Sequence, residues 1–161
     1  MRLMSAVVLT CFAAVLSATP SHAGVNATFA KPAGYTDSAH YDADVLSAIK
    51  AHFQRLGARY LGRGDTLSIT VLDLDLAGFD LSSRGPSRLR VLNGATPPKI
   101  RFSYRLQRNR KLVASGEDSL SDQFYLSRPG AGLSSDELRY EKSMLDDWFR
   151  QKLSAGRELA R

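Results

Sequence analysis

The chain has 161 residues, with 22 Lys and Arg against 16 Asp and Glu, a formal charge of +6, and one cysteine. That length is enough to bury a hydrophobic core, and a single cysteine excludes a disulfide-stapled scaffold. The basic excess favours anionic partners and carries no information about fold.

The chain opens like a secretory leader. Arg2 is followed by an apolar run from Ala6 to Leu16 and then by Ser21-His22-Ala23 before Gly24. These are the basic, apolar and small-x-small regions of a signal peptide, and the apolar run is too short for a permanent bilayer anchor. Cleavage after Ala23 removes 23 of the 161 residues and leaves 138, read as a single domain over 24–161. Cys11 lies inside the apolar run, and Val8-Leu9-Thr10 lacks the small residue expected before a lipid-attachment cysteine. The expected product is therefore a soluble chain outside the cytoplasm, without cysteine and without a transmembrane segment. Its charge is +5, because the leader takes one of the 22 basic residues and no acid.

Val25 to Ala30 reads as a short strand closed by the turn cluster Lys31-Pro32-Ala33-Gly34. Val45, Ile49, Phe53, Leu56 and Tyr60 then recur at helical period and predict a helix from about Asp42 to Leu61. Asp42 and Asp44 suit its positive end, Arg59 and Arg63 its negative end, and Gly62 its stop. Leu67, Ile69 and Val71 alternate with Ser68 and Thr70 as in a half-buried strand, but the apolar parity switches to Leu72, Leu74 and Leu76. Either a bulge falls near Val71-Leu72 or the strand leaves the core there, with Asp73 and Asp75 on one face. Residues 77 to 98 exceed an ordinary connection and suggest a functional loop or a short extra strand near Arg88 to Leu92.

Ile100, Phe102, Tyr104 and Leu106 alternate with Arg101, Ser103, Arg105 and Gln107, which predicts a strand with one core face and one cationic face. Gln107 to Lys111 turns the chain into a partner strand from Leu112 to about Leu120. Ser134 with Glu137 forms a capping box for a second helix running to about Leu153, and Leu138, Met144, Leu145, Trp148, Phe149 and Leu153 mark its buried side. Residues after Gly156 are expected to fray. The resulting expectation is an α+β two-layer sandwich, a mostly antiparallel sheet of about four strands with two helices on one face.

The residues offer few sites for chemistry. Asp73 and Asp75 at alternate strand positions hold two carboxylates about 7 Å apart, near the spacing of acid/base hydrolases, but they equally suit ion pairs with the arginines that follow. His40, Asp42 and Asp44 form too small a ligand set for a metal, so no metal site is expected. No nucleophile elbow is present, and Pro129-Gly130-Ala131-Gly132 lacks the lysine of a phosphate loop, so no cofactor is expected. Nine basic residues and no acid lie between Arg84 and Lys111. Phe102 and Tyr104 share the apolar parity of that stretch and are expected in the core, which argues against stacking on nucleic acid. Arg84, Arg88, Arg90, Arg101 and Arg105 are instead candidates for contacting anionic envelope material or an acidic protein.

Asp73-Leu74-Asp75-Leu76-Ala77-Gly78, Arg84-Gly85-Pro86, Pro97-Pro98-Lys99-Ile100 and the segments Leu138 to Lys142 and Leu145 to Trp148 together resemble the secreted bacterial family catalogued as domain of unknown function 3016. The resemblance implies a bacterial, periplasmic single domain and brings no activity with it. It draws attention to Asp73, Asp75, Arg139, Glu141 and Asp146 as one polar network between the second strand and the last helix. A periplasmic accessory or binding domain is the leading expectation. The alternatives are an envelope hydrolase using Asp73 and Asp75, or a structural partner of an envelope protein complex.

Overall fold

The computed structural model describes residues 24–36, 43–80, 90–130 and 133–158. Its elements are β1 (Gly24–Phe29), α1 (Ala43–Tyr60), β2 (Asp65–Asp75), β3 (Phe79–Asp80), β4 (Arg90–Val91), β5 (Lys99–Arg108), β6 (Lys111–Ser121) and α2 (Arg139–Glu158). The main sheet has the order β1-β2-β5-β6. Its outer pair β1 and β2 is parallel, joined by α1 as the crossover, and the two remaining pairings are antiparallel. This is the α+β arrangement predicted from the pattern, with both helices on one face. β3 and β4 form a separate two-stranded ribbon, the extra strand anticipated in the long connection.

The parity switch in β2 is a bulge. Pairing with β5 runs in register to Val71, skips Leu72 and resumes at Asp73 opposite Arg101. One inserted residue returns Leu74 to the core and leaves Asp73 and Asp75 on the opposite face, so Leu67, Ile69, Val71 and Leu74 are all buried. β5 and β6 join through Asn109 and Arg110, both at positive φ, the backbone required by a tight two-residue hairpin.

Ile49, Phe53 and Leu56 of α1 meet Leu145, Trp148 and Phe149 of α2 over the inward residues of the sheet. Aromatic rings fill the centre: Phe53 lies 6.1 Å from Phe102 and Trp148 lies 5.0 Å from Phe102, both edge to face. A satellite cluster of Ala77, Tyr125 and Tyr140 ties the start of α2 to the segment after β2.

Two expectations about α2 are corrected. Ser134 and Glu137 do not form a capping box, because the helix begins at Arg139. Asp136 caps instead, its Oδ1 accepting the Leu138 N–H at 2.9 Å, while Ser134 Oγ accepts the Asp136 N–H. Burial of Leu138 in the main core fixes where the chain turns into the helix, and that brings Asp136 rather than Ser134 to the capping position. The helix also continues to Glu158 rather than ending near Leu153. Gly156 disfavours a helix by only about 1 kcal/mol, too little to stop one by itself.

Candidate functional site

The helices cover one face of the sheet, and strand alternation puts polar side chains on the other. Reading across the strands, Asn26, Ser68, Arg105 and Ser115 occupy one row, and Thr28, Thr70, Ser103 and Glu117 the next. Two further rows hold Asp73, Arg101 and Ser119, then Asp75, Lys99 and Ser121. The face is therefore divided. At the end near the bulge, cations meet acids: Arg101 donates to Glu117 at 3.0 Å, and Lys99 lies 3.9 Å from Asp75. At the other end Arg105 is exposed among hydroxyl and amide groups, and no carboxylate shares its row.

Asp73 is engaged in holding the chain after β1. The Thr36 N–H and hydroxyl each donate to it at 2.8 Å. Partial burial raises its pKa, but the Thr36 hydrogen bonds and the nearby Arg101 outweigh this and hold the carboxyl below its ordinary value.

Arg90 does not join the basic face. Its guanidinium turns inward, donating to the carbonyls of Leu76 at 2.9 Å, Gly78 at 3.3 Å and Ala77. Those three groups have no strand partner to satisfy them where the chain leaves β2, and a five-donor fork meets the need. Glu141 approaches the same bend from α2. It is 1% exposed, and its Oε1 accepts the Ala77 N–H at 2.7 Å. Among the described residues its Oε2 has no hydrogen-bond partner. Burial pushes this carboxyl above its ordinary pKa despite the attraction of Arg90 and Arg139.

The five-residue network expected from the sequence is thus dispersed. Asp73 and Asp75 lie on the open sheet face, Glu141 is buried beside Ala77 within the attraction of Arg139, and Arg139 and Asp146 line a cleft between the helices. Of the five, Glu141 is the one that hydrogen-bonds the end of β2 to α2 among the described residues, through the Ala77 N–H. Arg84, Arg88, His40 and Asp42 lie outside the described residues, while Asp44 sits in the first turn of α1. Among the described residues no cluster of three His, Cys, Asp or Glu is arranged to hold a metal. Among them, too, no helix is long and apolar enough to cross a membrane.

The cleft was not anticipated. It has a volume of about 460 Å³ and lies between α1, the first turns of α2 and the segment before α2. Arg55, Arg128, Arg139 and Lys142 line it with two acids, Asp136 and Asp146. Lys142 pairs with Asp136 at 2.5 Å, and Arg128 is held by Asp122 and Asp147. His52 crosses between the helices, its Nε2 3.2 Å from the Lys142 carbonyl and 3.3 Å from Asp146. Burial lowers the pKa of His52, which opposes the pull of Asp146 and favours the neutral ring. Arg55 lies 3.3 Å from His52 Nδ1, so that nitrogen accepts and Nε2 carries the proton toward Lys142 and Asp146. The spacing of His52 with Arg55, and of Arg139, Lys142 and Asp146, at three or four residues is the sequence signal that marks these polar helix stripes.

Comparison with known proteins gives a family and little else. A family model described as "Protein of unknown function (DUF3016)" matches residues 23–151. No curated protein matches. A solved minor lipoprotein from Acinetobacter baumannii is similar over 86% of this chain and 96% of that one, at 15% identity and a TM-score of 0.24.

Proposed function

The chain belongs to the DUF3016 family of proteins of unknown function, and from that premise we propose that it is an exported, non-catalytic domain that binds anionic polysaccharide of the bacterial envelope on its open sheet face. Export rests on the leader pattern of residues 1 to 23, beside which the family match begins at residue 23. One observation carries the binding site: Arg105 stands exposed in the row Asn26, Ser68, Arg105 and Ser115, which has a cation and no acid.

A guanidinium holds a carboxylate or sulfate through paired hydrogen bonds, and flanking hydroxyl and amide groups match the hydroxyls of a sugar chain. Arg101 contributes less, because Glu117 already neutralises it at 3.0 Å. The hydrolytic alternative has weaker support. Asp73 is committed to two hydrogen bonds from Thr36, and Asp75 lies 3.9 Å from Lys99, so both carboxylates have structural partners.

The test is retention of the purified chain on dextran sulfate, with neutral dextran as the control. Wild type is expected to bind at low salt and release as salt rises, since exposed charges are screened over about 8 Å at physiological ionic strength. Arg105→Glu should lose retention, while Arg101→Glu keeps most of it. Equal retention of Arg105→Glu and wild type at low salt overturns the proposal.

A further inference from the structure

The cleft between the helices is independent of the sheet face, and its charges are unevenly committed. Lys142 and Arg128 spend theirs on Asp136, Asp122 and Asp147. Arg55 and Arg139 do not: among the described residues neither forms an ion pair with a carboxylate. Arg55 makes its one hydrogen bond to the His52 ring. Arg139 gives one N–H to the Asp136 carbonyl at 3.1 Å and rests on the Tyr140 ring at 4.6 Å. Its Nε is buried, with no hydrogen-bond partner among the described residues. That Nε is enclosed on the side of Glu141, whose carboxyl Arg139 attracts, so it is the terminal N–H groups of Arg139 that are available to a ligand in the cleft.

We propose that this cleft is a binding site for a phosphoryl group, held between Arg55 of α1 and Arg139 of α2. Its volume of about 460 Å³ accommodates a phosphate with a substituent attached, larger than inorganic phosphate alone. Asp136 offsets Lys142, and Asp122 and Asp147 offset Arg128, so the attraction for an anion rests on Arg55 and Arg139 themselves. Two guanidiniums on separate helices offer paired donors to different oxygens of one tetrahedral anion. Ser134 and Ser143, also in the lining, supply neutral hydroxyls for remaining oxygens or for the substituent.

The substituent has two possible sources, a soluble phosphate ester or the headgroup of an anionic lipid. Leu133 bears on the choice, because it is 93% exposed and its N–H is bonded to Gly130, so it projects from the segment that forms one wall of the cleft. An apolar side chain there would suit a headgroup still attached to a membrane.

The experiment is calorimetric titration of the purified full chain with inorganic phosphate and with glycerol phosphate at low salt, followed by co-sedimentation with phosphatidylglycerol and phosphatidylcholine vesicles. Wild type is expected to bind both phosphates saturably, the ester more tightly. Arg55→Gln and Arg139→Gln should each weaken binding about tenfold, the worth of one charge-assisted hydrogen bond, and the double variant should abolish it. Among the described residues Arg55 hydrogen-bonds to His52 alone, so Arg55→Gln keeps the test valid even if Arg139→Gln disturbs the Tyr140 stack. Arg105→Glu on the sheet face should bind phosphate normally, which separates failure of this site from failure of the polysaccharide face. Sedimentation with phosphatidylglycerol vesicles that free glycerol phosphate reverses assigns the headgroup as the source. Saturable phosphate binding without vesicle binding assigns a soluble ester. No saturable binding by wild type, or equal binding by Arg55→Gln and wild type, overturns the site.

Discussion

Trp148 is the side chain whose loss should damage this fold most. It is 5% exposed and packs edge to face on Phe102 at 5.0 Å, on Tyr104 at 5.3 Å and on Phe149 at 5.2 Å. Its Nε1–H also donates to Asp118 Oδ2 at 2.7 Å, which ties α2 to the edge strand β6. Trp148→Ala removes the buried indole and leaves a cavity among three rings, a loss of about 3–5 kcal/mol by comparison with other large-to-small core changes. Trp148→Phe separates the contributions. It retains most of the apolar burial, while Asp118 keeps Lys152 at 3.2 Å as a partner, so only the indole hydrogen bond is lost. That change should cost about 1–2 kcal/mol, near the worth of one hydrogen bond to a charged group discounted for partial exposure. Urea denaturation followed by far-ultraviolet circular dichroism measures both, since Trp148 is the sole tryptophan and fluorescence disappears with it. A Trp148→Ala protein within about 1 kcal/mol of wild type would refute the assignment of the aromatic centre as the core's main support. Equal losses for the two variants would refute the separation of packing from the Asp118 bond.

Glu141 should impose a pH dependence on stability. Its folded pKa is raised by burial above the unfolded value, so its contribution is complete below the unfolded carboxyl pKa of about 4.3 and is lost as pH rises through the folded pKa. Glu141→Gln keeps an oxygen for the Ala77 N–H and lacks the ionisation. The denaturation midpoint of wild type should therefore fall relative to the variant as pH rises, and parallel profiles would refute this. At Gly78, φ is +78° and an added Cβ would meet the Val91 carbonyl oxygen at 2.3 Å, so Gly78→Ala should cost about 2 kcal/mol or more. Gly94→Ala, with nothing within 4 Å, is the matched control and should leave the melting temperature nearly unchanged.

What the sequence determined by itself was whatever local periodicity encodes. The stripe Ile49, Phe53 and Leu56 and the alternation Ile100, Phe102 and Leu106 both became buried faces, because each pattern selects one secondary structure and one side of it. Even the bulge was legible, since a switch of apolar parity after Val71 has few physical solutions. Tertiary structure decided which polar residues meet. Arg90 belonged to a basic stretch in the sequence, yet the carbonyls exposed at the end of β2 draw its guanidinium inward. Glu141 would suit the start of a helix as an ordinary solvated acid, but docking of Tyr140 on Tyr125 carries it into the interior against Ala77. The cleft joins Arg55 to Arg139 across 84 positions of sequence. No local pattern specifies such a meeting, because it depends on how two helices pack on one sheet, and that is settled only when the shared aromatic core closes.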